Sequence, residues 1–234
     1  MKKLILVLAL IGIMIAGGVL GHSLWKRETP AGYYDAGKKY FDNKKYSEAT
    51  ISFLNAVQKD ARNRDARYYL ALSYLNQQDV SRAVGQLKGL LENYPDDVEA
   101  NLQLGRIYLA AASAQRNPDF SRQAEDLAQK ILSKDPQNVQ ALILSANASA
   151  GLQDLTSSVN SLEKAINVDP KNTAALISLG RTRVLQKNYP EGEKALLKAR
   201  EANPKDKNAL IALVNYYRAF GPPDKAEAVL KDAF

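Results

Sequence analysis

Hydrophobic side chains follow two rhythms along this chain. Residues 4–21 form one apolar run behind Lys2 and Lys3, without a charged or strongly polar side chain. From residue 30 onward, apolar and small residues recur at i, i+3, i+4 and i+7, as in Tyr33, Ala36, Gly37 and Tyr40. That spacing predicts amphipathic helices packing one stripe inward. No segment alternates apolar and polar residues as a half-buried strand would.

The apolar run is long enough to cross a bilayer: 18 residues extend about 27 Å as a helix. Trp25, Lys26 and Arg27 follow as an interfacial belt. It reads either as an uncleaved anchor or as a cleaved export signal. Ala16-Gly17-Gly18 and Val19-Leu20-Gly21 are the candidate cleavage sites. Either reading exports the remainder if Lys2 and Lys3 stay in the cytoplasm. Lys26 and Arg27 leave the opposite orientation open. Gly17 and Gly21 form a G-x-x-x-G pair, more simply read as ordinary membrane-segment glycines than as a dimer face.

The helical part is periodic. Pro95, Pro136, Pro170 and Pro204 each follow Asp, Asn or Tyr, at spacings of 41, 34 and 34 residues. Proline lacks an N–H and biases its predecessor away from α, so each marks a helix end. On this register six repeats run over 30–63, 64–97, 98–138, 139–172, 173–206 and 207–234, the last incomplete. Small residues recur at Gly37, Ala71, Gly105 and Gly180, where the two helices of a hairpin are expected to approach closely. Large ones recur at Tyr33, Tyr40, Phe53, Tyr74, Leu87, Tyr108, Leu162, Leu176, Leu196 and Tyr217. The first repeat has Ala61 where proline is expected. The third is seven residues too long, with the excess around residues 111–118.

A period of 34 with large residues at repeat positions 4, 7, 11 and 24, small ones at 8, 20 and 27, and proline at 32 resembles the tetratricopeptide-repeat family. The resemblance covers residues 30–234. It implies an all-α fold, an α-solenoid of helix–turn–helix repeats, behind an N-terminal membrane or signal segment over residues 1–29. Each hairpin would bury its apolar face only against its neighbours.

The resemblance also implies where partners bind. The first helix of each repeat would line a concave face. Position 5 is then Tyr34, Tyr68, Leu102, Ile143, Ile177 and Ile211; position 9 is Lys38, Leu72, Arg106, Asn147, Arg181 and Asn215. Position 12 is Phe41, Leu75, Leu109, Ala150, Val184 and Arg218. Apolar pockets beside arginines and asparagines suit an extended peptide's side chains, carbonyls and carboxylates. The competing role for positions 5 and 12 is packing between repeats. A carboxylate clamp needs Lys and Asn at positions 5 and 9 of one repeat; Tyr34 and Lys38 do not match it. The insertion predicts an extended helix and a longer turn, although insertions sometimes form binding edges.

Composition excludes more than it selects. The chain is 46% hydrophobic and 24% charged, an ordinary globular balance. It has no cysteine and one histidine, His22, so thiolate nucleophiles, Cys-ligated metals, paired-histidine sites and Ser-His-Asp chemistry are excluded. No phosphate-binding loop or nucleophile elbow occurs. No catalytic residue, cofactor or metal is therefore expected. The net charge is +7, of which Lys2, Lys3, Lys26 and Arg27 against Glu28 place +3 in residues 1–29. The +4 left for residues 30–234 is too mild to imply nucleic acid. Lys38, Lys39, Lys44 and Lys45 read as contacts to anionic lipid. The expectation is a protein-binding scaffold in cell-envelope assembly, secretion or exopolysaccharide-linked export. It would sit in the inner membrane as a single pass with the array in the periplasm, or be periplasmic after cleavage. The alternative is the interaction module of a longer enzyme or regulator. The last helix carries Ala226, Val229, Leu230, Ala233 and Phe234 without a polar capping helix after it. This predicts further repeats beyond, or a partner on that end, self-association included.

Overall fold

The computed structural model describes residues 29–231. The apolar run 4–21 and the terminal Phe234 lie outside the described residues. Among those described, twelve α-helices are joined by short turns and no strand occurs. The chain divides into two compact units, residues 1–95 and 96–234, close to the junction of the second and third repeats.

The first unit holds α1 (Pro30–Asp42), α2 (Tyr46–Lys59), α3 (Arg64–Asn76) and α4 (Val80–Asn93). The second holds α5 (Val98–Gln115), α6 (Pro118–Leu132), α7 (Val139–Gly151), α8 (Leu155–Val168), α9 (Thr173–Leu185), α10 (Tyr189–Ala202), α11 (Lys207–Phe220) and α12 (Pro223–Lys231). Odd-numbered helices are the first of their repeats and even-numbered ones the second. In each unit a helix packs on its hairpin partner and on the next hairpin, and successive first helices touch.

The turns explain the period. Between repeats, Asp135, Asp169 and Asn203 each accept a backbone N–H two residues on. Their carbonyls accept from Asn138, Asn172 and Asp206 three residues on, closing a β-turn. Proline at the second turn position fits because its φ is preset and no donor is needed there. The next residue in line caps the following helix: Asn63, Asp97, Asn138, Asn172 and Asp206 each accept from a first-turn backbone N–H. Asp60 makes the same turn with Ala61 in place of proline. The side chain at Asp60 supplies the turn, so the missing proline does not disturb the register.

Within repeats the hairpin turns are tighter. Lys44, Gln78, Gln153 and Lys187 all have left-handed backbones, φ 59 to 65°. The following amide reaches back five residues in each case, as in Lys45 to Tyr40 and Asp79 to Tyr74, both 2.9 Å. This is a helix-ending motif in which glycine is the usual residue. In the third repeat the left-handed residue is Arg116, φ 50°. Helix α5 has 18 residues where α1, α3, α7 and α9 have 13, so it projects about 7 Å farther before turning. The insertion is thus the extended helix its sequence predicts, but the turn after it, residues 116–117, is shorter than the three-residue turns after α1, α3, α7 and α9, not the longer one expected.

The core of the first unit is Ala49, Phe53, Ala56, Ala66, Leu70, Tyr74 and Ala83. In the second, Leu142, Ala146, Leu162, Ala165 and Ala175 form one cluster, and Leu176, Leu196, Leu213 and Tyr217 anchor another. Each fully buried leucine contributes about 1.5–3 kcal/mol by leaving water. Two small-residue positions are read directly from contacts. A Cβ on Gly37 would sit 2.7 Å from the Phe53 ring, and one on Gly180 would sit 2.6 Å from Leu196, both across a hairpin. Gly105 differs. A Cβ there would meet Leu144 Cδ2 at 2.5 Å, so its small size admits a side chain of the next repeat's first helix rather than its own partner helix.

Candidate functional site

The first-helix faces carry different chemistry in the two units. In the first, Tyr34, Phe41, Tyr68 and Tyr69 are half-buried and in ring contact. Tyr69 is the hub, with centroids 6.1 Å from Tyr34, 5.3 Å from Phe41 and 5.9 Å from Tyr68. Lys38 lies over the Tyr69 ring at 5.2 Å and pairs with Asp42 one turn on. That hydrogen bond holds the Lys38 ammonium above the ordinary lysine range. Arg64 lies over Tyr68 at 5.1 Å and pairs with Asp65 at 2.8 Å. Burial, then the Asp65 charge, pushes the Tyr34 hydroxyl up. The cations of this face already hold anionic and aromatic partners. Leu72 and Leu75 complete it as half-buried apolar contacts.

In the second unit the expected residues divide. Leu102 and Ile177 are each 6% exposed. They are core residues, and the expectation that they face a ligand is corrected: Ile177 packs in the cluster of Leu196, Leu213 and Tyr217, and Leu102 is buried to the same extent. Ile143 is half-buried, whereas Ile211, at the same repeat position, is 52% exposed. It lines a cavity of about 930 Å³ with Val214, Asn215 and Leu230, rimmed by Arg200, Lys205 and Lys207. Arg218 is exposed on the same helix. Arg106 is exposed but engaged, donating to Gln140 Oε1 at 2.7 Å.

A second cavity, of about 640 Å³, brings together residues far apart in sequence. Helix α5 contributes Leu109, Ala112 and Ser113, reaching it through the added turn. Arg116 and Asn117 follow from the hairpin turn; Asn117 caps α6 by accepting from Asp119 N at 2.9 Å. Asn147 comes from α7, Ser178 and Arg181 from α9. None of the lining residues is acidic. Neither Arg116 nor Arg181 is ion-paired with a described residue. Asn147 and Arg181 are the expected position-9 residues of consecutive repeats. Arg116 and Ser178 are not groove positions of the repeat register. The oversized third repeat was the available signal for Arg116; for Ser178 there was none. Among the described residues no cluster of His, Cys, Asp or Glu could hold a metal, and no helix is long and apolar enough to cross a membrane.

Comparison with known proteins agrees with this architecture. Models of the tetratricopeptide repeat match residues 65–97 and 143–207. The human protein O-mannosyl-transferase TMTC3 is 32% identical over 109 residues, 47% of this chain; the chain spans 11% of that protein's length. Among solved structures, a tetratricopeptide repeat protein from Parabacteroides merdae superposes with a TM-score of 0.71 at 16% identity, over 88% of this chain and 78% of that one. The thermophilic repeat protein TTC0263 of Thermus thermophilus gives 0.65 at 20% identity, over 81% and 98%. MamA of Desulfovibrio magneticus gives 0.65 at 17%, over 76% and 97%. These likenesses show the fold. With the matched repeats, the helix–turn–helix register and the stacked hairpins in agreement, residues 65–97 and 143–207 are tetratricopeptide repeats and the described helices have the tetratricopeptide-repeat fold.

Proposed function

We propose that this chain is a protein-interaction scaffold whose first-helix faces take extended segments of partner proteins. The observation that carries this reading is the cavity of about 640 Å³ where Asn147 and Arg181 meet the extended α5. It offers apolar wall, amide, hydroxyl and guanidinium within one opening on the first-helix side, the combination an extended peptide needs. The cellular setting we favour is envelope assembly, secretion or exopolysaccharide-linked export. Residues 4–21 would act as a single inner-membrane pass with the repeats in the periplasm; the apolar run behind Lys2 and Lys3 supports it.

The test is photo-crosslinking in cells of the native host. A crosslinker at Leu72 or Leu109 should capture discrete protein partners, while one on the outer helices, at Lys88 or Glu163, should not. Equal capture from both sides would sink the reading. One observation favours a second reading: the matched human relative is an O-mannosyl-transferase much longer than this chain. On that reading these repeats are the interaction module of a larger enzyme. Transferase activity co-purifying with the full-length gene product would favour it.

A further inference from the structure

Three surfaces stand out beyond the general reading. The aromatic face of the first unit is satisfied internally, and its two cations are already paired. Nothing in the structure shows what covers the apolar cavity around Ile211 and Leu230. The cavity at the oversized third repeat is different. It holds two arginines without ionic partners, among neutral polar groups, with no acidic residue in its lining.

We infer that this cavity is an acid-selective subsite: Arg116 and Arg181 together receive a carboxylate side chain, Asp or Glu, of an extended partner peptide. The inference rests on the scaffold reading and names the chemistry it selects. Two guanidiniums lining one cavity raise the local potential, and a desolvated carboxylate is the side chain that answers it. Arg116 is held there by an unusual backbone: its left-handed φ of 50° ends α5 and starts the turn into α6. The added helical turn carries the guanidinium to the cavity that Arg181 lines from two repeats farther on. Asn147 lies between them in the repeat order, and its amide can both donate to and accept from a peptide backbone. Neighbouring first helices pack about 10 Å apart, so α5 and α9, with α7 between them, are about 20 Å apart, and the two long arginine side chains reach the cavity from either side of Asn147.

The experiment is selection of a random peptide library, displayed on phage, against the full chain in detergent micelles. It is repeated on Arg116→Gln, Arg181→Gln and the double variant, each checked for native circular dichroism. The wild-type chain should enrich peptides rich in Asp or Glu, and the double variant should lose that preference. For a selected peptide, replacing its acidic residue by the matching amide should weaken binding about tenfold, as should Arg181→Gln. Combining the two changes should weaken binding no further than either change alone, because each removes the same contact. Selected peptides without excess acid, or an unchanged acid preference in the double variant, would overturn the inference and leave the scaffold reading standing. Failure of the wild-type chain to select any peptide, together with equal crosslinking from inner and outer helices, would remove both.

Discussion

The first-helix faces of residues 29–95 and of residues 96–231 are built on one repeat scaffold but reach opposite electrostatic states. In the first unit every cation named on the face is answered, Lys38 by Asp42 and Tyr69, Arg64 by Asp65 and Tyr68. In the second, Arg116 and Arg181 line an open cavity with no anion beside them. A basic residue on a repeat face is therefore not evidence of recognition in itself. What matters is whether the adjoining turn or helix already supplies its counter-charge. An acidic residue four positions on removes a cation from service in α1, whereas the displaced turn after α5 adds an unmatched one.

The contrast can be broken most strongly through the cores. Phe53 is fully buried and stacks with Tyr69 at 5.7 Å, so it supports the aromatic face from beneath. Phe53→Ala should cost about 3–5 kcal/mol, and Leu162→Ala in the second unit about 2–5 kcal/mol. Hydrogen exchange should place the first loss in α1–α3 and the second in α7–α9. Exchange loss spread evenly over all helices in either variant would contradict stacking by nearest neighbours.

Glycine substitutions should separate the units next. Gly180→Ala would press a methyl on Leu196 and approach the Gly192 carbonyl at 3.2 Å, costing about 1–3 kcal/mol. Gly85→Ala in α4 meets nothing within 4 Å and should instead stabilise by about 0.5–1 kcal/mol. Urea titration of the two variants reads the opposite signs.

Acid should act more on the second unit than on the first. Asp79 is the shifted carboxylate of the first unit, lowered chiefly by the backbone N–H of Arg82. The second has Asp96 lowered by Lys134, Asp154 by the Ser157 backbone, and Glu193 by Lys225 and then Tyr217. Burial alone would raise Asp206, but hydrogen bonds from Asn208, Thr173 and Ala209 outweigh it. A carboxyl held below its ordinary value stabilises the fold above that value, and the gain is lost as pH falls through the folded pKa. Between pH 7 and about pH 3 the thermal midpoint should fall, and amides of α8–α12 should lose protection before those of α1–α4. Glu193→Gln should lower the midpoint at pH 7 and converge on wild type in acid. A gap that persists unchanged at low pH would rule out the ionic origin.

The smallest expected effect lies in the hairpin turns. Gln78→Gly and Gln153→Gly relieve a left-handed backbone but add freedom to the unfolded chain, so each should stabilise by less than about 1 kcal/mol. Equal gains in the two variants would show that the turns, unlike the faces, are interchangeable between units.

Much of this protein is written in local pattern. The 34-residue period, the helix boundaries, the Asx caps at Asn63, Asn138 and Asn172, and the lengthened third repeat all follow from spacings within a few residues. Such interactions reach only i+3 to i+5 along a helix or turn, so sequence order carries them. Stacking decided the rest. Leu102, Ile177 and Ile211 share one repeat position, yet the first two are buried and the third is open. Gly105 reads as a hairpin contact and serves the next repeat through Leu144. Arg116 and Arg181 are 65 residues apart in sequence and line one cavity only because α5, α7 and α9 pack side by side. Periodicity states which stripe of a helix faces inward, but which atoms cover that stripe depends on the neighbour, and neighbours are set by the stacked fold.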